Sequence, residues 1–229
     1  SKSTRRLHGN WLTANSDPAV DYTDPSLYHI RFNSNDRLSG GIVRNLTKIT
    51  VFPGWAWGTP DAAGEIGDIA ILQLDQLVTS VDPAVIFPVD SSLTAREVGW
   101  GYTDEAGEPT IPTPTPKDLS QIDVPVVANS ACSGVLPHIG VGEMCLGGQG
   151  GGTCNGDSGS PALQIQGEGP AWTAAIGSVS RTQGTTCGDV GEPTVFTDMW
   201  HYVPWMTSVI DSFIGRGTTP ALRLGSAAQ

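Results

Sequence analysis

The chain has 229 residues and a net charge of −11, with 12 Lys and Arg against 23 Asp and Glu. That balance excludes a phosphate-reading surface, which needs clustered basic side chains, so nucleic acid is not an expected partner. Gly (29) and Pro (17) are abundant while apolar residues still reach 38%, the profile of a turn-rich all-β chain rather than a disordered one; no apolar run approaches the roughly 18–20 residues that span a bilayer.

The opening, SKSTRRLHGN, has the charge of a secretory n-region, but no apolar stretch follows it. A signal removed earlier and a cut upstream both stay open. Strand patterns then recur between turn signals, at 27–32, 42–52 and 69–74. VRNLTKITVF alternates like a half-buried strand, whereas IAILQL is nearly continuous, like a buried one. Residues 80–96 read as a link between two β halves, and further strands are expected at 97–101, 122–127, 161–166, 172–179 and 193–197. Between them TDEAGEPTIPTPTPKD reads as an exposed loop, because its X-Pro repeats cannot sit in a central strand.

Near the end, MWHYVPWMTSVIDSF places Trp205, Val209 and Phe213 at four-residue spacing, which predicts a helix with Pro204 in its first turn. The tail 215–229 has no periodicity and is expected to be flexible. The expected division is 1–93, 94–214 and 215–229.

Four cysteines, Cys132, Cys145, Cys154 and Cys187, suggest two disulfides and an oxidising, extracellular compartment. A zinc site is the rival, but no CxxC pair is present.

The chemistry centres on Gly156-Asp157-Ser158-Gly159. A nucleophilic serine needs an exposed hydroxyl and backbone N–H groups converging on the oxygen it creates. Glycine permits such a turn, so the amides of Gly156 and Ser158 are the candidate oxyanion donors. An ordinary Asp-Ser-Gly turn is the alternative.

The wider pattern resembles the chymotrypsin-like serine peptidases, the trypsin family. TCNGDSGSP is similar to their GDSGGP signature, DIAILQL (68–74) to DIALLKL, and VGWG (98–101) to the strand opening their second barrel. VPVV before Cys132, PTVFT followed by YVPWM, and WLTA (11–14) follow in the family's order, so the resemblance covers about residues 2–214. It implies two six-stranded antiparallel β-barrels with a C-terminal helix, the first barrel incomplete here. It also implies disulfides Cys132–Cys145 and Cys154–Cys187, Ser158 as nucleophile and Asp68 as the carboxylate that orients the base.

The base itself departs from the pattern. Ser16 stands where the family's histidine is expected and Asp17 where a cysteine is; a serine hydroxyl is no base near neutral pH. The family has about thirty more residues before this segment. They supply its first strands and, in activated members, an amino terminus that pairs with the aspartate before the serine, here Asp157. His8 is the nearest substitute base; His29, His138 and His201 read as structural or surface residues. A truncated or frame-shifted peptidase, a natural pseudoprotease and an engineered inactive form remain open.

By position the resemblance assigns the substrate pocket to Gly152, Thr153, Ser180, Thr182 and Thr194. Gly152 supplies no carboxylate for a cationic side chain, and Thr182 and Thr194 add bulk where many members have glycine. The elastase-like expectation is a small, uncharged side chain. No cofactor or metal is expected. The expected partners are a protein or peptide substrate and a protein inhibitor, bound by a monomer without membrane association. Two functions compete: a serine endopeptidase impaired in this chain, and a non-catalytic homologue binding a protein through the same cleft.

Overall fold

The computed structural model describes residues 21, 23–55, 60–103, 116–132, 134, 139–166, 171–182, 187–214, 222, 224 and 225. Its first half holds β1 (His29–Phe32), β2 (Ile42–Val51) and β3 (Ala70–Leu74) in one antiparallel sheet. His29 pairs with Asn45, and Val51 with Ala70. Tyr28, Leu46 and Ile49 are buried there, backed by Ile30, Leu72 and Leu74.

The second sheet contains β4 (Val85–Ile86), β5 (Thr94–Gly99), β6 (Ser120–Val127), β7 (Glu143–Gln149), β8 (Pro161–Gln164), β9 (Ala174–Thr182) and β10 (Val190–Asp198). The order β10-β7-β6-β5-β8-β9 closes on itself because β10 also pairs with β9, and β4 adds to β9 in parallel. Closure leaves the six barrel strands no open edge. Ala95, Val124, Leu146, Ala162, Ile176 and Phe196 fill the interior. In β5 the two-residue period turns Ala95, Glu97 and Gly99 inward and leaves the residues between them more exposed.

The all-β fold expected from sequence is therefore present, with one closed six-stranded barrel and three strands of the other half among the described residues. One barrel strand, β7, was not foreseen. EMCLGGQ is buried through its first five residues instead of alternating, and Gly147 and Gly148 both sit at φ +84°, so neither period nor propensity marks it. Both disulfides form as the resemblance implied. Cys132–Cys145 ties a short 3-10 turn to β7, and Cys154–Cys187 ties the serine loop to the segment before β10.

Helix α1 (Val203–Ile214) has Pro204 as its second residue, where a missing N–H costs nothing. Trp205 and Tyr202 meet the Phe52 ring edge-on at 5.3 and 5.0 Å, and Lys48 Nζ lies 4.8 Å from the Phe213 ring. The C-terminal helix thus docks on β2 and the segment after it. In the tail, Leu224 bridges Ile86 and the Gly225 N–H donates to Ile86 O at 2.8 Å, so this part lies against β4. Among the described residues no helix is long and apolar enough to cross a membrane, and no cluster of three or more metal-ligating side chains occurs.

Candidate active site

Asp68 precedes β3 at the foot of a short turn. Gly67 there has φ +63°, and a Cβ on it would fall 2.3 Å from the Phe52 ring, so only glycine lets the chain pass under Phe52. The Ser180 hydroxyl donates to Asp68 Oδ2 at 2.8 Å, and the Thr197 hydroxyl to its backbone carbonyl at 2.9 Å. Burial pushes the Asp68 carboxyl up to about 6; the Ser180 hydrogen bond and the Arg181 guanidinium pull it down, and Glu143 pushes it up.

Ser158 lies in the loop between β7 and β8. Gly156 takes φ +100°, the Asp157 N–H returns to Cys154 O at 3.0 Å and the Ser160 N–H to Asp157 O at 2.8 Å. Two bonds fasten the loop to β9: Gly159 N–H to Val179 O and Val179 N–H to Ser160 O, both 2.9 Å. The next residue of β9 is Ser180, which holds Asp68. Adjacent residues of one strand therefore fasten the serine loop and the aspartate.

The Asp157 carboxylate is held by two backbone amides. The Gly101 N–H donates to one oxygen at 2.7 Å and the Cys154 N–H to the other at 2.9 Å. Gly99 and Gly101 leave room for it: a Cβ on either would lie 1.9 or 2.3 Å from a carboxylate oxygen. The Gly-Trp-Gly of VGWG is thus explained by close approach of Asp157.

His8 and Ser16 fall outside the described residues, as does His138. His29 opens β1 opposite Asn45, and His201 bonds Glu65 through Nε2 at 2.6 Å. Among the described residues no histidine hydrogen-bonds the Asp68 carboxylate.

Among the residues assigned to the pocket from sequence, Thr182 and Thr194 face each other across β9 and β10. The buried hydroxyls of Thr153 and Thr194 lie 3.0 Å apart, and a Cβ on Gly152 would come within 4.0 Å of Thr194 Oγ1. Thr194 therefore fills space opposite Gly152. Beside it a cleft of about 270 Å³ is bounded by Gly151, Gly152, Gly188 and the Cys154–Cys187 bridge. The hydroxyl of Ser180, a residue assigned to the pocket wall from sequence, lies on Asp68.

Residues 22–206 match the family model described as Trypsin. The chain belongs to the trypsin family. Brachyurin of Leptuca pugilator is 36% identical over 148 residues, 58% of this chain and 62% of brachyurin. Glucanase inhibitor protein 3 of Phytophthora sojae is 29% identical over 159 residues, 66% of this chain and 56% of that protein. The chain thus spans about six tenths of the length of these relatives. Among solved structures, neuropsin, titled a serine protease expressed in the limbic system of mouse brain, superposes with a TM-score of 0.64 at 21% identity, over 80% of this chain and 79% of neuropsin. That likeness shows the fold alone.

Two features of this trypsin-family chain escaped sequence reading. Arg181 and Glu143 form a buried bidentate ion pair, 4% and 1% exposed, across strands that lie 38 residues apart in sequence. Glu97 lies inside the barrel with neither carboxyl oxygen hydrogen-bonded in the described structure. With Asp157 it lines a cavity of about 210 Å³. Burial pushes the Glu97 carboxyl up to about 8 and the charge of Asp157 adds to this; the nearby Thr153 N–H, short of hydrogen-bonding geometry, offsets part. Only the inward phase of β5 hints at Glu97 in the sequence.

Proposed function

We propose that the cleft is a serine endopeptidase site in which Ser158 is the nucleophile, the amides of Gly156 and Ser158 receive the oxyanion, and Asp68 orients the base. The observation that carries this is the shared strand: Val179 holds the Ser158 loop and Ser180 holds Asp68. The family's expected base position is Ser16, so turnover in this chain is impaired, with His8 the nearest substitute. A fluorophosphonate probe tests the assignment: the parent chain labels slowly and Ser158→Ala not at all. Labelling that survives Ser158→Ala overturns the nucleophile; labelling as fast as a complete triad overturns the impairment.

The reading places a first β half at 1–93, the second barrel and helix at 94–214, and a tail at 215–229. It makes the protein a secreted monomer that acts on a protein or peptide and is open to a protein inhibitor. The two disulfides support an oxidising compartment.

The substrate side chain next to the scissile bond is small and uncharged, because Thr194 stands opposite Gly152. Peptidyl boronates carrying Val, Phe or Arg are expected to raise the melting temperature in the order Val, Phe, Arg. Thr194→Gly shifts the preference toward Phe by about tenfold. A parent chain that prefers Arg overturns this pocket.

A second reading is a non-catalytic homologue that binds a protein through the same cleft. It draws on the relative named glucanase inhibitor protein 3 and on Ser16 standing where the family's histidine is expected. Binding of a purified glucanase that a Ser158→Ala chain retains supports it; no binding with clear peptide hydrolysis removes it.

A further inference from the structure

The pairing of β9 with β10 skips a residue: Phe196 faces Val179, Val195 faces Arg181, and Ser180 is left as the extra residue of a β-bulge. Consecutive strand residues normally point to opposite faces, and a bulge re-aims them. Here Arg181 Nη1 donates to Ser180 Oγ at 3.3 Å while Ser180 Oγ donates to Asp68 at 2.8 Å. The guanidinium is in turn gripped by both oxygens of Glu143, and the Gly140 N–H donates to Glu143 Oε2 at 2.6 Å. A buried chain therefore runs Glu143, Arg181, Ser180, Asp68, across β7, β9 and the start of β3.

We propose that Arg181, held in its fork by Glu143, is a positioning residue of this site: it pins the bulged Ser180 so that its hydroxyl donates to Asp68, and it sets a buried positive charge beside that carboxylate. This rests on reading Asp68 as the orienting acid. The groups around Asp68 are Arg181 and Ser180 from β9, Glu143 from β7 and the neutral Thr197 from β10. Its own segment carries Glu65, which bonds His201 beside Tyr202 at the entry to α1. Arg181 thus opposes the burial that favours protonated Asp68, and Glu143 weakens that opposition only in part.

The test is a carbon-13 NMR titration of the Asp68 carboxyl in the full chain, assigned by its loss in Asp68→Asn. The parent midpoint is expected at about 6. In the paired variant Arg181→Met with Glu143→Leu it rises by about one unit, so the ionised fraction at pH 6.5 falls from about three quarters to about a quarter. Glu143→Gln, which leaves the guanidinium uncompensated, moves the midpoint down. Arg181→Lys keeps the charge but loses the fork on Glu143, so its midpoint rises by less than the paired variant's, and it serves if Glu143→Gln does not fold. A folded paired variant with an unmoved midpoint, or an Arg181→Lys midpoint as high as the paired variant's, overturns the proposal. The titration needs no turnover, so a chain that fails to label with fluorophosphonate leaves this result standing.

Discussion

Glu97→Gln is expected to leave stability near pH 4.5 almost unchanged and to raise it by about 3 kcal/mol at pH 7 and about 4 kcal/mol at pH 8. Glu97 lies in the barrel interior at 2% exposure, with its carboxyl pushed up to about 8 by burial and by the Asp157 charge. The folded chain therefore holds a proton there that the unfolded chain releases near the ordinary glutamate value of about 4.3. Between those two values the folded state binds more protons, so the parent loses stability as pH rises through the window. Glutamine keeps the shape and polarity of the protonated form without a charge to release. Urea unfolding at pH 4.5, 7 and 8 measures the gap between parent and variant. A gap that does not widen with pH means Glu97 is solvated or paired in solution.

Arg181→Met alone is expected to cost about 3–5 kcal/mol, and adding Glu143→Leu to recover most of it. The single change leaves a carboxylate at 1% exposure with the Gly140 N–H but without its guanidinium. Two charges taken out of water together are compensated by each other; one left behind is not. The apolar pair removes the buried charge altogether and fills similar volume, which is why the paired variant rather than Arg181→Met serves in the Asp68 titration. Urea midpoints of parent, both single variants and the pair complete a double-mutant cycle at pH 7. A coupling below about 0.5 kcal/mol, the scatter between independent sites, would falsify the buried pair as a unit.

These two effects come from residues that local pattern could not place, unlike much of the site. TCNGDSGSP declared a tight turn around Ser158, and the structure has Gly156 at φ +100° within it. DIAILQL put Asp68 at the start of a buried strand; it lies just before β3, whose residues are half-buried rather than buried. The even cysteine count was met by two bridges. Most strands of both halves followed from runs bounded by turn signals, and β2 from its alternation.

What the sequence by itself determined was therefore what short-range chemistry dictates: turn residues, strand period, the helix spacing at Trp205, Val209 and Phe213, and the order of motifs that marks the trypsin family. Tertiary structure decided the rest, because it depends on register between strands distant in sequence. Barrel closure sets β10 against both β7 and β9, and that pairing creates the bulge at Ser180, whose hydroxyl reaches Asp68. The same closure brings Arg181 to Glu143 and hides β7 within a fully buried run. Asp157 found backbone partners in the Gly101 and Cys154 amides because Gly99 at the end of β5 and Gly101 just beyond it let its carboxylate approach. A local pattern states which way a side chain points along its own strand; which charge waits opposite is settled by how the strands close.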